Sequence, residues 1–290
     1  MPMRETSEHF AGDEAKRGIP MNLMAAELSE KQFRKISQLI YQLCGINLKD
    51  GKQALVRARL MKRLRALKLG DFDEYMKYLD GDQGTHELSY LIDVMTTNKT
   101  SFFREPEHFR YLCDQILPIL SSRKLRFWTA ACSSGEEPFS LAILLREHLP
   151  DVDMRDVKIL ATDISTKMLE KARNAVYSEE TVRDIPSRYL QKYFQPARQD
   201  GTFYRLRDEV RSMVRLGWLN LMDNWPMKGP FNVIFCRNVM IYFDRPTQQR
   251  LINRLWELLE PGGYLFVGHS EGLSAVSHKF RYVRPAVYKK

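Results

Sequence analysis

The feature that most narrows the folds open to this chain is a set of short, continuously apolar segments separated by helical patterns. Leu125 to Ala131 (LRFWTAA), Val157 to Thr162 (VKILAT), Phe231 to Cys236 (FNVIFC) and Tyr264 to Val267 read as strands. Helical periodicity covers residues 138–148, 167–175 and 247–259 between them. A strand that is apolar on both faces must be covered on both, and parallel strands need a crossover. The pattern therefore predicts an α/β fold with a doubly wound, mostly parallel sheet. Between Tyr193 and Leu221 the texture changes to period-two alternation with Gly201 as a turn. That change predicts a small inserted antiparallel β-subdomain at about residues 193–219.

The front of the chain is helical instead. Ser29 and Gln32 make a capping-box pattern ahead of the apolar face Phe33, Ile36, Ile40 and Leu43, with Gly45 as the stop. A second helix over about 51–69 carries Val56, Leu60, Leu64 and Leu67 as its buried stripe. Asp71 with Glu74 opens a third, and a fourth covers about 85–95. The pattern predicts a small all-α domain over residues 21–97. A linker helix follows at 98–122, opened by Pro106, and then the sheet domain at 123–290. Residues 1–20 are polar, carry both charge signs and read as a disordered tail without the apolar core of a signal peptide. No apolar run is long enough to cross a bilayer, so no membrane insertion is expected. Cys44, Cys113, Cys132 and Cys236 are scattered and form no CxxC pair, which argues for a reducing, cytoplasmic setting without structural zinc.

The 45 lysines and arginines outnumber the 36 acids, a net +9, so an anionic partner is expected. The excess is concentrated from Lys31 to Lys68, where Asp50 is the only acid. Arg57, Arg59, Lys62 and Arg63 lie on the second helix, mostly away from its apolar stripe, and read as a partner-binding face. No stacking platform or nucleic-acid motif accompanies them, so a nucleic-acid partner is not expected.

In a doubly wound sheet a ligand sits at the carboxyl ends of the strands. TAACSSGEEPFS (Thr129 to Ser140) ends a strand in small residues, turns at Gly135 and opens a helix with Glu136 and Glu137. It is no dinucleotide fingerprint, because it holds a single glycine, and its acids would repel a pyrophosphate. The two glutamates suit a cationic or hydroxyl-rich ligand, or else merely complement the helix dipole. In LATDIS, Asp163 follows the second strand, where an acid hydrogen-bonds ribose hydroxyls or caps the next helix. In CRNVMIYFD, Asn238 and Tyr242 follow a buried strand and form a plausible adenosine or substrate wall. TTNKTSFFRE (Thr96 to Glu105) precedes the sheet, a polar-then-aromatic segment that by composition is a capped helix start. On these residues alone a methyltransferase, a non-catalytic cofactor sensor and a nucleic-acid methyltransferase all stay open, with a dehydrogenase disfavoured.

TTNKTSFFRE, AACSSGEEPFS, LATDIS, FNVIFCRNVMIYFD and GGYLFVGHSE, in this order and spacing, together resemble the CheR protein-glutamate O-methyltransferase family over about Leu28 to Tyr288. The resemblance implies a seven-stranded Rossmann-like methyltransferase sheet with an all-α N-terminal domain and a small β-subdomain. It implies S-adenosylmethionine as cofactor, S-adenosylhomocysteine as product and no metal. Its cofactor contacts carry over onto Asn98, Thr100, Arg104, Glu137, Asp163, Asn220, Leu221, Asn238 and Val239. Arg104 and Tyr242 match the residues that line the methyl-transfer centre. The implied substrates are glutamates on the cytoplasmic helices of methyl-accepting chemoreceptors, with a monomeric enzyme recruited to membrane receptor arrays. The loop QPARQDGTF lacks the glycine-rich look of family members that dock a receptor's C-terminal pentapeptide. A glutamate acceptor, with a reference pKa of about 4.3, is ionised at neutral pH and needs no general base. His148, His269 and His278 accordingly read as structural or surface residues.

Overall fold

The computed structural model describes residues 26–49, 51–198 and 200–290; the tail expected over residues 1–20 lies outside them. The helical front consists of α1 (Glu30–Cys44), α2 (Gln53–Leu67), α3 (Phe72–Asp80) and α4 (Gly84–Met95). Each starts where local chemistry allows it. Ser29 and Gln32 complete the capping box of α1, Gly45 closes that helix at φ 72°, and the Asp71 carboxylate accepts the Glu74 N–H at the head of α3. The helices bury Phe33, Ile36, Ile40, Val56, Leu60, Leu64, Phe72 and Tyr75 against one another.

A polar tie crosses this small core. Glu87 on α4 is 2 % exposed and receives both Nε and Nη2 of Arg63 from α2, at 2.8 and 2.6 Å. The Tyr75 hydroxyl of α3 donates to the same carboxylate at 2.9 Å. The pair holds the Arg63 guanidinium above its ordinary pKa, and burial together with the Glu87 charge pushes the Tyr75 hydroxyl up.

A connecting stretch carries α5 (Pro106–Tyr111) and one wider turn over Leu112–Ile116 before the sheet begins. The remaining elements are β1 (Lys124–Ala130), α6 (Glu136–His148), β2 (Asp156–Asp163), α7 (Thr166–Asn174), β3 (Val176–Ser178), α8 (Glu179–Val182), α9 (Ser187–Tyr193), β4 (Phe194–Pro196), β5 (Phe203–Leu206), α10 (Asp208–Arg211), β6 (Val214–Trp218), β7 (Phe231–Cys236), α11 (Arg245–Leu258), β8 (Leu259–Val267), β9 (Arg281–Arg284) and β10 (Val287–Lys289). Seven strands form one sheet in the order β6-β2-β1-β7-β8-β10-β9, with every neighbouring pair parallel except β8–β10 and β10–β9. The expected doubly wound α/β sheet with a helical N-terminal domain and an antiparallel β-subdomain is present.

Alternation along the central strands divides the core. Phe127, Val233, Phe235 and Phe266 face one way, among α6 and the connecting stretch. Trp128, Ile234, Leu265 and Val267 face the other way, with α11 and the four front helices. The all-α domain therefore shares a continuous apolar core with one face of the sheet. Among the described residues no helix is long and apolar enough to cross a membrane.

The β-subdomain differs from its expected limits of 193–219. Its three strands, β3, β5 and β4, span residues 176–206, with Tyr177 opposite Tyr204. Val214–Trp218 belongs to the main sheet instead, parallel to β2 with Leu160 opposite Arg215. The physical reason is that alternation marks any half-covered strand. β6 is the edge of the main sheet, so its pattern (VRLGW) looks the same as that of an antiparallel hairpin.

Replacing Glu87 with alanine would leave a largely buried guanidinium and a phenol unpaired. Glu87→Ala should lower the unfolding free energy by on the order of 3 kcal/mol, read as a shift in the urea midpoint. A midpoint within error of the parent would mean the tie contributes nothing.

Candidate active site

A cleft of about 100 Å³ opens where β1, β2 and β7 end. This is the point at which strand order departs in both directions from β1, where doubly wound sheets receive ligands. Every residue expected around a cofactor lines it. Asn98, Thr100 and Arg104 come from the segment ahead of α5, Glu137 from α6, and Asp163 from the end of β2. Asn220 and Leu221 follow β6, while Asn238, Val239 and Tyr242 follow β7.

The loop from β1 to α6 is wound tightly. Ala131, Ser133 and Gly135 all have positive φ, at 62°, 50° and 98°. Gly135 is the position with no alternative, because a Cβ there would stand 2.7 Å from the Phe139 ring and 3.0 Å from Ala172. The winding points the Ser133 N–H at Asp163 Oδ2, 2.7 Å away, while Asp163 Oδ1 accepts the Ser165 N–H at 2.8 Å. Ser133 Oγ donates to the Asn98 carbonyl at 3.0 Å, which ties the linker to the loop. Burial raises the Asp163 carboxyl above its usual range, against the pull of those backbone donors.

The two glutamates at the head of α6 separate in role. Glu136 turns back to the Ser134 hydroxyl, which donates to its carboxylate at 2.8 and 3.0 Å. Glu137 faces the cleft. Its Oε2 accepts Arg237 Nη1 at 3.0 Å, while its Oε1 is buried with no hydrogen-bond partner. Burial pushes Glu137 up to about 7, with the Arg237 charge opposing.

Arg237 is the residue that the sequence reading passed over. Its side chain is 1 % exposed. Besides Glu137 it holds the Arg104 carbonyl through Nη2 at 2.6 Å and stands 3.2 Å from Glu105 Oε2. Its signal was an arginine placed directly after a strand buried at every position. Glu271, in GHSE, was passed over too. It is 6 % exposed and accepts the N–H groups of Asn238, Gly268 and Ile241. These bonds hold Asn238 at φ 60°, and its amide donates to Glu105 Oε1 at 3.1 Å. Gly268 admits this approach, since a Cβ would lie 2.5 Å from Asn238 Nδ2.

Arg104 Nη1 donates to the Lys99 carbonyl at 2.9 Å, and the exposed Lys99 side chain also lines the cleft. The Asn220 amide is already engaged, donating to the Leu43 carbonyl of α1 at 2.6 Å, so it joins the helical domain to the cleft wall. The Tyr242 carbonyl receives the Asn47 N–H at 2.8 Å, a second such joint.

The basic face of α2 is less free than its sequence implied. Arg57 Nε donates to the Ala26 carbonyl, Arg59 holds the Met95 carbonyl and the Thr97 hydroxyl, and Arg63 is committed to Glu87. Lys62 is exposed. Three of the four side chains thus hold the domain together, because arginine stems lie along the helix surface and their forks reach nearby carbonyls.

The donor set fits an S-adenosylmethionine molecule. A buried carboxylate oxygen on Glu137 lacks a partner, Asp163 lies at the end of β2, and Ile164, Leu219, Leu221 and Val239 give the cleft apolar walls of a character that suits an aromatic base. A methyltransferase that uses S-adenosylmethionine is the class that the sheet, its helical flank and this cleft define. Residues 98–288 match the family model described as CheR methyltransferase, SAM binding domain, and residues 31–96 match the one described as CheR methyltransferase, all-alpha domain. The chain belongs to the CheR methyltransferase family. It is 43 % identical over 264 residues to the chemotaxis protein methyltransferase of Escherichia coli K12, covering 90 % of this chain and 91 % of that one. It is 42 % identical to chemotaxis protein methyltransferase 2 of Pseudomonas aeruginosa, with 90 % and 93 % covered, and 37 % identical to the Borreliella burgdorferi chemotaxis protein methyltransferase, with 95 % and 98 % covered.

The Glu137 shift has a measurable sign. A carboxyl that titrates at 4.5 unfolded and about 7 folded binds more protons in the native state between those values. Stability of the ligand-free protein should therefore fall as pH rises across that window and level off above it. Glu137→Gln should flatten part of that fall in urea titrations at several pH values. An unchanged slope would mean that Glu137 titrates normally.

Proposed function

We propose that this protein transfers a methyl group from S-adenosylmethionine to glutamate side-chain carboxylates of methyl-accepting chemoreceptors, leaving S-adenosylhomocysteine and a glutamate methyl ester. One observation carries the choice of acceptor. Among the described residues lining the cleft there is no histidine, and its thiols are held protonated. Burial pushes Cys44 up to about 11 and Cys132 well above the ordinary thiol value. Both Asp163 oxygens are committed to backbone donors, and Glu137 is paired with Arg237 through Oε2, its Oε1 alone left free. The cleft is thus equipped to hold an acceptor that is already ionised, and a carboxylate is one at neutral pH.

S-adenosylmethionine, when bound, supplies an electrophilic methyl on a sulfonium. In this reading Asp163 takes the ribose hydroxyls, Glu137 takes a donor hydrogen on its free oxygen, and Asn238 with Val239 flank the adenosine; all four line the cleft. Arg104 and Lys99 bring positive charge to the cleft wall, where a carboxylate acceptor must shed water and align. Tyr242 closes the wall beside them. Alignment of two bound partners is worth up to about 7–11 kcal/mol in ideal cases, which suffices without proton transfer.

The all-α domain is the receptor-recognition element in this reading. Exposed Lys62, with exposed Arg65 one turn on, offers charge to glutamate-rich receptor helices, while the arginines beside them keep the helix in place. The enzyme works as a monomer at the cytoplasmic side of receptor arrays.

The test uses methyl-labelled S-adenosylmethionine and receptor cytoplasmic fragments. Label released as methanol by mild alkali is expected; alkali-stable label would mean nitrogen methylation and sink the carboxylate assignment. Asp163→Ala should weaken S-adenosylhomocysteine binding at least tenfold by calorimetry. Arg104→Lys, which keeps the charge but loses the fork, should lower kcat/KM by a similar factor. Parent values in either variant would remove that residue from the site. Lys62→Glu should raise KM for the receptor fragment several-fold with cofactor affinity unchanged. An unmoved KM would make that face merely solvated.

A further inference from the structure

One side-chain cluster beside the cleft has no part in the reading above. Glu105, His108 and His269 each present a ligand atom, and these atoms lie within 4.8 Å of one another. Glu105 Oε2 is 3.3 Å from His108 Nδ1 and 3.9 Å from His269 Nε2. Around a tetrahedral cation with bonds of about 2.0–2.2 Å, adjacent ligand atoms stand roughly 3.3–3.5 Å apart. The Glu105–His108 pair already stands at that spacing, and the other pairs lie within 4.8 Å.

Two further observations point to a ligand. His108 is 1 % exposed, and neither of its ring nitrogens has a hydrogen-bond partner. A buried imidazole unpaired at both ends calls for an explanation. Glu105 also sits in an unusual backbone position, at φ 57° and ψ 64°, and does not cap the helix it precedes. Its carboxylate is oriented from behind, by the Asn238 amide on Oε1 and by Arg237 beside Oε2. An outer hydrogen bond such as that from Asn238 holds a metal-ligating carboxylate in register, and Oε2 itself has no hydrogen-bond partner. His269, half exposed, leaves the cluster open to solvent.

We propose that Glu105, His108 and His269 bind one transition-metal ion of the Zn2+ type, and that its binding weakens the cofactor cleft. Two imidazoles and one carboxylate suit Zn2+, Cu2+ or Ni2+, whereas Mg2+ and Ca2+ take oxygen ligands. A fourth position falls to water. Arg237 is the charge that opposes the cation, and Glu105 and Glu137 offset it. Drawing Oε2 toward a metal loosens its pairing with Arg237, which also holds Glu137 and the Arg104 carbonyl in the cleft. By linkage, whatever the metal does to cofactor affinity the cofactor does to metal affinity. The binding claim stands alone; the weakening of the cleft rests on the methyl-transfer reading.

The experiment uses the purified full chain, stripped with a chelator and titrated with ZnCl2 by calorimetry and against a chromophoric zinc indicator, with MgCl2 as the control. One Zn2+ per chain is expected, with no competition from Mg2+. His269→Ala, at an exposed position that does not endanger folding, should weaken Zn2+ at least tenfold, as should Glu105→Gln. No zinc binding by the parent, or equal affinity after His269→Ala, overturns the site. S-adenosylhomocysteine is then titrated with and without Zn2+. Its affinity should fall several-fold in the parent and stay constant in His269→Ala; an unmoved affinity in the parent overturns the coupling alone. If S-adenosylhomocysteine never binds, the methyl-transfer reading fails while the zinc titration still decides the site.

Discussion

The arrangement of the cleft depends on one buried guanidinium. Arg237 emerges from the end of a strand without a single exposed residue and meets two segments at once: the head of α6, through the Glu137 carboxylate, and the linker, through the carbonyl of Arg104 and the carboxylate of Glu105. A charge so removed from water is costly unless it is paired, and here both Nη atoms are engaged while Nε has no hydrogen-bond partner. Each partner is therefore held as firmly as it holds the arginine. The linker ahead of α5 has little helix of its own to fix it, so this contact and the Ser133 bond to the Asn98 carbonyl place Asn98, Thr100 and Arg104.

Strain gathers around the same point. Phe103, Glu105, Ala131, Ser133 and Asn238 all occupy the left-handed region, at φ between 50° and 62°. Such residues persist where surrounding contacts over-determine them. Here Glu271 grips the turn after β7 and Asp163 grips the turn after β1. Rigid turns at strand ends suit the methyl transfer proposed above, in which the acceptor carries its own charge. The site then has to position groups rather than move protons, and buried carboxyls such as Glu137 and Asp163 can serve as hydrogen-bond partners instead of bases. The helical domain contributes directly to this placement, since Leu43 and Asn47 are bonded to the cleft residues Asn220 and Tyr242.

Much of this was legible from residues alone. Ser29 with Gln32, and Asp71 with Glu74, announce helix starts because capping is a contact between near neighbours. Runs such as FNVIFC announce strands covered on both faces for the same local reason. The motifs at strand ends were legible as well, and Glu137, Asp163, Asn238 and Tyr242 from them line one cleft, while Glu136 turns back to Ser134. The partners of long side chains were not. The sequence shows a basic helix at Arg57, Arg59, Lys62 and Arg63, yet three of those four side chains turn inward to carbonyls and to Glu87.

Sequence by itself determined the elements, the class of sheet and the composition of the strand-end loops, because hydrophobic period and turn chemistry act over a few residues. Tertiary structure decided which sheet Val214–Trp218 would join, since pairing with β2 rather than with a hairpin neighbour depends on what covers each face. It also decided that Arg237, not the flanking Asn238 alone, would organise the cleft. A buried charge takes its meaning from the groups brought within 3 Å or so of it, here from α6 and from the linker. Those segments are far apart in the chain, and only the folded core brings them to one place.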